Sequence, residues 1–592
     1  MQRETNYEKF PICRVSGCES ETWEGWPRIL ERLKAFAGSE SRTISFECYP
    51  GVFEKVLICA LEEGLRPSCL IATSDLLKSS SEIELLVSGV LGDDPVFGRM
   101  NSLEIADFFD PGRLAKAREQ VKKWKQGLLV IVGTGASLLA PAPNLLVYAD
   151  MARWEIQQRQ RQNTIGNLGT DNLQESPGQK YKRAFFVDWR AADHLKKSLL
   201  QKIDFWLDTN GDTPKLVTGR AVRDGLKQIA RRPFRVVPYF DPGPWGGHWM
   251  EEVCGLPKGM PNYAWCFDCV PEENSLLLDF GGTRVEIPAM NLTLLYPREL
   301  LGDEVFSRFG AEFPIRFDFL DTMGGGNLSL QVHPKTQFIR EQFGMLYTQD
   351  ESYYLLDDGD GGSVYLGLKP HIDREAMIQE LKAAQDNGVS FCAEKYVNRF
   401  PARKHDHFLI PAGTIHCSGR NSMVLEISAT PYIFTFKLWD WGRLGLDGLP
   451  RPIHLDHGLA NIVWNRDTDW VRQNLINRIE PMSEGPGWHE ERTGLHELEF
   501  IETRRHWFTG LTPHHTLATV NVLNLIEGEE ALVESPTGAF DPFVVHYAET
   551  FIVPASVGQY TISPAGRSFG KRCGTIKAFV RPQPVGLTPN SW

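Results

Sequence analysis

Apolar and polar positions follow two rhythms along this chain. Up to about residue 230, compact apolar runs at 42–48, 127–132 and 144–148 are separated by stretches with apolar residues at helical spacing, 52–64, 111–125 and 151–161. Strands alternating with helices predict an α/β domain built on a mainly parallel sheet. Within it, 163–183 is polar and rich in Gly and Asn, which reads as a long loop, and 182–190 (KRAFFVDWR) reads as a further strand, followed by a helix from 191 to about 207. After the basic cluster RRPFR the rhythm changes. NYAWCFDCV, NSLLLDF and TRVEIPA are short runs punctuated by Gly and Pro, the pattern of an antiparallel barrel. Helical spacing returns at 372–388, stopped by Asn-Gly, and at 457–477. The tail is again strand-like (TVNVLNLIEG, EALVES, PFVVHYAETFIVP, TIKAFVRP) and predicts a second, metal-free β unit, in which the pair His514-His515 reads as a surface loop. The boundaries drawn are 1–230, 231–495 and 496–592.

Composition adds few surprises. The 592 residues are 42% apolar and 23% charged, with a net charge of -12, which fits an ordinary acidic globular protein. That balance argues against nucleic acid as a partner, because binding phosphates needs a basic surface. The start, MQRETNYEKF, is polar and acid-bearing, unlike a signal peptide. The most apolar stretch, LLVIVGTGASLLAPAPNLLVYA, is broken by Gly and Pro, so no membrane span is expected. Eleven cysteines, odd in number and dilute, fit reduced thiols and a cytoplasmic setting, and Cys266 with Cys269 reads as buried thiols rather than a zinc clamp.

SFECYPGVFEKVL lies where a strand–loop–helix phosphate loop would begin. It has Gly51 and Lys55, but no Ser or Thr follows the lysine, and Glu54 would repel phosphate. GLLVIVGTGASLL with NLLVYADMARWEIQQRQR resembles the core of nucleoside-kinase-like P-loop proteins, in which an Arg-rich helix serves phosphates. With the phosphate-loop residues missing, the resemblance implies a degenerate, non-catalytic relative, with an active kinase as the alternative; otherwise the Arg and Gln run is a solvated helix face. Packing against the barrel and holding a homo-oligomer together are both open to this domain.

The chemistry gathers at LSLQVHP. In an extended strand Gln331 and His333 leave one face and Val332 the other. Glu351 opens the next apolar run, on what reads as a neighbouring strand, and HFLIPAGTIHC delivers His416 behind a Pro-Ala-Gly turn. Two His and a Glu with room for water or substrate form the pattern of an open catalytic zinc site, with Gln331 as an unusual neutral ligand.

The flanking blocks FPIRFDFLDTMGGGNLSLQVHP, QDESYYLL, FLIPAGTIHCSG, MVLEIS and WDWGRLGLDGLPRPIHL resemble those of the type I mannose-6-phosphate isomerases, over roughly residues 236–592. That family is a zinc-dependent cupin (jelly-roll) enzyme. The resemblance implies one zinc ion per chain on Gln331, His333, Glu351 and His416, and a sugar phosphate as substrate. It also implies catalytic roles for Lys437, about where the family carries an Arg, for Arg443 in the same block and for Glu426. Ser329 matches a phosphate-contacting serine. Two family lysines are missing: Gln349 and Asp318 stand in their places. Arg316, Arg399, Arg403 and Lys404 are candidates to replace that charge, with Arg403 and Lys404 preferred. The fold expected is therefore a P-loop-kinase-like α/β domain followed by mainly β jelly-roll domains with a helical insertion. The function expected is isomerisation of mannose 6-phosphate, with an isomerase of an unphosphorylated sugar or a non-catalytic sugar sensor as alternatives.

Overall fold

A computed structural model describes residues 5–37, 42–429, 432–494 and 496–582. The amino-terminal sheet has seven strands. Five are parallel, and in chain order they lie second, third, first, fourth, fifth: Cys69–Ala72, Leu128–Gly133, Arg42–Cys48, Leu145–Asp150 and Phe205–Asp208. Lys215–Thr218 and Thr22–Glu24 extend the sheet antiparallel. LLVIVG and LLVYAD are apolar without alternation because helices cover both faces of a parallel sheet.

The expected strand at 182–190 is helical. Ser176 and Gln179 form a capping box, Pro177 takes the first turn, and Pro177–Arg183 runs through a π-helical turn, Ala184–Asp188, into Trp189–Leu199. All five residues of that turn are buried, so AFFVD has no polar side to betray the helical period. The Arg/Gln helix Arg153–Arg161 is not a solvated face either. Arg153 is 2% exposed and pairs with Asp193 at 2.7 Å, Gln157 donates to Glu273 at 2.8 Å, and Arg161 grips Asp241 through two bonds of 2.6 and 2.7 Å. The helix is an internal seam between the amino-terminal unit and the β domain. It also closes the turn where a phosphate loop would lie. Ile156 sits where a Cβ on Gly51 would go, and the Arg159 guanidinium lies 4.0 Å from the Phe53 ring. Glu54 accepts from Thr134 N at 2.9 Å, and Glu47 from Gly135 N and Ser137 N.

Two of the expected barrel strands lie elsewhere. Ser275–Phe280 pairs with Ile12–Arg14 on one side and with Thr283–Pro288 on the other in a separate three-stranded sheet. Asn210 Nδ2 donates to Glu286 O at 3.1 Å, so this sheet is bonded to the amino-terminal unit. The central β domain is a pair of antiparallel sheets. The six-stranded one runs His407–Ile410, Glu351–Asp357, Met423–Ser428, Arg316–Asp321, Trp265–Cys269, Tyr239–Asp241; the five-stranded one runs Val397–Pro401, Ser363–Leu368, His416–Ser418, Leu330–Val332, Phe436–Trp439. The inserted helix spans Arg374–Asn387, with Asp373 capping its start and Gly388, at φ +66°, ending it. The helix expected over 457–477 is two, Leu455–Asn461 and Thr468–Asn474, because Asp467 caps a second start. The tail forms a second pair of sheets around its own core of Leu523, Val533, Phe551 and Ile562. There His514 is a strand residue, 6% exposed, while His515 faces solvent. No helix of the described residues is long and apolar enough to cross a membrane.

Candidate active site

Leu330–Val332 is a short strand, and its middle residue is the geometric centre of the site. Gln331 is the register partner of His416 on one side and of Lys437 on the other. His333 leaves the same face two residues on and is fully buried. Glu351 does not come from a neighbouring strand, as the sequence suggests, but from the facing six-stranded sheet. The cluster therefore bridges the two sheets.

Glu351 Oε2 lies 3.0 Å from His333 Nε2, and its Oε1 lies 2.9 Å from His416 Nε2. The tautomers are fixed from outside: His333 Nδ1–H donates to Phe434 O at 2.9 Å, and His416 Nδ1–H donates to Thr414 O at 2.8 Å. Each Nε2 then carries a lone pair facing a carboxylate oxygen. Two imidazole lone pairs against a carboxylate repel unless a cation or protons sit between them, and His333 Nε2 and Glu351 Oε1 have no hydrogen-bond partner. This is the donor set and outer support of a metal site. Among the described residues, His333, Glu351 and His416 offer ligand atoms within 4.8 Å of one another. Gln331 Nε2 is 3.2 Å from His416 Nε2, and half a turn of its amide would present oxygen instead. Burial opposes ionisation of Glu351, yet His333 and His416 hold its carboxyl well below the usual range. Gln349, where the resemblance would put a lysine, supports the carboxylate as an amide. It donates to Glu351 Oε2 at 3.1 Å and accepts from Phe434 N at 3.0 Å.

The turn before His416 is locked to the rest. Gly413, at φ +87°, donates to His333 O at 3.0 Å, and a Cβ there would meet Val463 at 2.6 Å. Arg466 binds the carbonyls of Pro411 and Ala412 from below at 2.8 Å each.

Above the cluster opens a cavity of about 440 Å³. Of the residues singled out in the sequence, Gln331, Ser329, Glu426 and Lys437 line it, as does Arg316. Burial, and then the Arg451 guanidinium, push the Lys437 ammonium down to about 7. Glu426 faces Asp318 as its register partner on the adjacent strand, with Arg316 3.2 Å from Asp318. Burial, then Glu351 and Asp318, push the Glu426 carboxyl well up; burial outweighs Arg316 and takes Asp318 to about 7. Ser329 Oγ donates to Asp440 at 2.9 Å.

Other candidates lie apart. Arg443 is turned onto Asp440 at 2.7 Å and does not line the cavity. Arg403 and Lys404 stand on an exposed turn, where Lys404 pairs with Glu527 at 2.6 Å, and Arg399 bonds Ser363. These cations precede the His416 strand in sequence, but the chain reverses before that strand reaches the site. In their place the cavity wall has Arg451, 3.0 Å from Asp440 and 3.3 Å from Ser329 Oγ. The only signal for Arg451 was its position at the end of the WDWGRLGLDGLPRP block.

Comparison with known proteins gives two separate matches. Residues 25–231 match a family described as a domain of unknown function (DUF8485), which names no activity. Mannose-6-phosphate isomerase of Streptococcus mutans serotype c is 25% identical over 322 residues, covering 53% of this chain and 90% of its own length. The probable mannose-6-phosphate isomerase GmuF of Bacillus subtilis is 26% identical over 153 residues, covering 26% and 45%. Among solved structures, the mannose 6-phosphate isomerase of Bacillus subtilis aligns with a TM-score of 0.47 at 18% identity, over 59% of this chain and 99% of that one.

Proposed function

We propose that this chain is a zinc-dependent aldose–ketose isomerase that interconverts mannose 6-phosphate and fructose 6-phosphate. The observation that carries this reading is the cluster behind the cavity lining: a buried carboxylate set between two imidazoles, with Gln331 and Gln349 joining it to the cavity and Arg316, Lys437 and Arg451 on the wall. The curated relatives, which bear the name mannose-6-phosphate isomerase, support it.

Zinc held by His333, His416, Glu351 and Gln331 would supply a Lewis acid for the sugar carbonyl. The chain's own groups do the rest. Isomerisation takes a proton from C2 and returns one to C1 through an enediolate, whose negative charge grows as the proton leaves. Lys437, the register partner of Gln331, stands beside that charge. At about 7 its ammonium is part-protonated near neutral pH, so it meets the enediolate as a cation or hands it a proton, and such a group acts more strongly in a closed site than in water. Asp318 and Glu426, side by side and both pushed up by burial, keep a proton between them near neutral pH, the state a proton carrier needs. Ser329 and Arg451 hold the phosphate by charge-assisted bonds. Trp245, Trp265 and Phe267 keep water from the sugar.

The test compares mannose 6-phosphate with free mannose in the wild type and in Arg451→Ala. Turnover of the phosphorylated sugar alone, with kcat/KM falling about 10-fold or more in the variant, is the expected result. Equal rates on both sugars, untouched by the change, would sink the phosphate assignment.

For the amino-terminal unit we infer a relative of nucleoside-kinase-like proteins without their chemistry. Its strand order, its strand–turn–helix at Cys48–Glu54 and the filling of that turn by Ile156 and Arg159 support the reading.

A further inference from the structure

The cavity is not built by the β domain alone. Pro95, Val96, Gly178 and Tyr181, all from the amino-terminal unit, form part of its lining. We propose that this unit is the outer wall of the substrate cavity, and that Tyr181 and Val96 set the size of sugar phosphate the site accepts, limiting it to a single monosaccharide phosphate. The proposal rests on the isomerase reading for its substrate class.

The loop carrying Val96 is anchored from both sides. Its next residue, Phe97, is 2% exposed and sits in an aromatic nest of the β domain: Phe434 stacked at 5.4 Å, Phe436 at 5.3 Å, Phe343 at 5.5 Å and His454 at 4.8 Å. Tyr432 Oη donates to Val96 O at 2.8 Å. Within the loop, Asp94 accepts from Val96 N at 2.7 Å and from Phe97 N at 2.8 Å, and Lys182 Nζ donates to Asp94 O. Burying a phenylalanine among aromatic rings holds the loop where it is.

Tyr181 is held in the same way. Its ring stacks on Tyr432 at 5.7 Å, and its hydroxyl donates to Glu273 at 2.9 Å, which Gln157 also bonds. The hydroxyl is thus taken by the seam, and the ring is what closes the cavity. Beyond it lies a second cavity of about 260 Å³, bordered by Gln157, Gln160 and Arg161. Tyr181, Gly178, Trp265, Phe267 and Ile433 line both spaces, so Tyr181 is part of the partition between them. Removing its ring joins the two spaces and loosens the grip on a small ligand; adding bulk at Val96 shrinks the inner space. A pocket of the inner size is at the small end for ligand sites, which suits one sugar ring or its open chain.

The experiment uses the full chain with its metal. Sorbitol 6-phosphate, an open-chain hexitol phosphate without a carbonyl, is titrated by calorimetry, and steady-state turnover of mannose 6-phosphate is measured alongside. Tyr181→Ala is expected to weaken sorbitol 6-phosphate binding and to raise KM at least 5-fold, with kcat and metal content within about 2-fold. Tyr181→Phe is expected to stay near wild type, because the ring and not the hydroxyl faces the ligand. Val96→Trp is expected to weaken binding as well, and it tests the wall if Tyr181→Ala fails to fold. Unchanged affinity and KM in both Tyr181→Ala and Val96→Trp, or a wild type that binds no sorbitol 6-phosphate, would overturn the wall. Tyr181-dependent binding in a wild type that does not isomerise mannose 6-phosphate would leave the wall standing and remove the isomerase reading.

Discussion

The two β units contain similar ingredients and use them in opposite ways. In the central unit, the rings of His333 and His416 lie 4.8 Å apart with Glu351 between them. In the carboxy-terminal unit, His506 and His514 lie 4.2 Å apart, and Glu490 is 3.1 Å from His506. There the protein's own cations have already answered the carboxylate: Arg504 is 3.2 Å and Lys577 3.8 Å from Glu490. Burial pushes the His506 imidazole down to about 4 and that of His514 well below its usual range, so both stay neutral at pH 7. Two buried His and a Glu are therefore not enough for a metal centre. What sets Glu351 apart is that, among the described residues, it pairs with two imidazoles and with no Lys or Arg.

The sharpest break of this comparison is to delete one imidazole from each unit. His333→Ala or His416→Ala is expected to empty the metal and to cut turnover more than ~100-fold, beyond the 10–100-fold typical of groups that only orient a ligand. His506→Ala and His514→Ala are expected to leave metal content and turnover within about 2-fold. Metal analysis and steady-state kinetics on the same preparations decide it, and metal loss in His514→Ala would collapse the distinction.

A smaller effect is expected at Gln349, which supports Glu351 from outside the ligand set. Gln349→Ala should weaken metal binding by about 10-fold, read by competition with a chelator, without changing the fold. An unchanged affinity would remove Gln349 from the site.

Lys577 sharpens the other half of the comparison. Burial pushes its ammonium from an ordinary 10.5 down to about 8, against the pull of Glu490. A lysine with a lowered folded value destabilises the fold while it stays charged. Below about 8 the whole cost is present. Between about 8 and 10.5 the unfolded chain binds the proton that the folded chain has lost, so stability rises with pH. Lys577→Met is thus expected to stabilise at pH 7 by on the order of 1–3 kcal/mol. That is a rise of about 2 °C in the unfolding midpoint, shrinking toward zero as the pH approaches 10.5. A gain that does not depend on pH, in thermal melts at pH 7 and pH 9.5, would contradict this account.

The smallest expected effect is none at all. Ile156 and the Arg159 guanidinium fill the turn after Arg42–Cys48, and Glu54 and Glu47 hold the amides of Thr134, Gly135 and Ser137. Calorimetry with ATP on the full chain should detect no binding tighter than about 1 mM. Micromolar affinity would mean that the helix Arg153–Arg161 moves aside.

Much of the fold could be read from the sequence where local pattern is enough, including short unbroken apolar runs set between helical stretches. The parallel strands, the helix Arg374–Asn387 with its Asp373 cap and Gly388 stop, and the tail strands follow local rules of spacing and capping. Reading failed where a short buried apolar run turned out to be helical. AFFVD has no polar face, so a buried π-helical turn looked like a strand. NSLLLDF and TRVEIPA were read correctly as strands, but the other partner of NSLLLDF, Ile12–Arg14, lies more than two hundred residues away, and no local pattern names it.

The site divides in the same way. The sequence by itself determined which side chains could ligate a metal, since QVHP in an extended strand must turn Gln331 and His333 to one face, and Pro-Ala-Gly must turn the chain before His416. Only the tertiary structure decided that Glu351 reaches them from the facing sheet, and that Arg451 rather than Arg403 or Lys404 shares the cavity with Lys437. It also decided that the Arg/Gln helix is a seam and that Tyr181 closes the cavity. The physical reason is range. Backbone periodicity acts over a few residues and is written in the local sequence, whereas the charge and shape of a cavity come from strands and loops brought together by burying a common core.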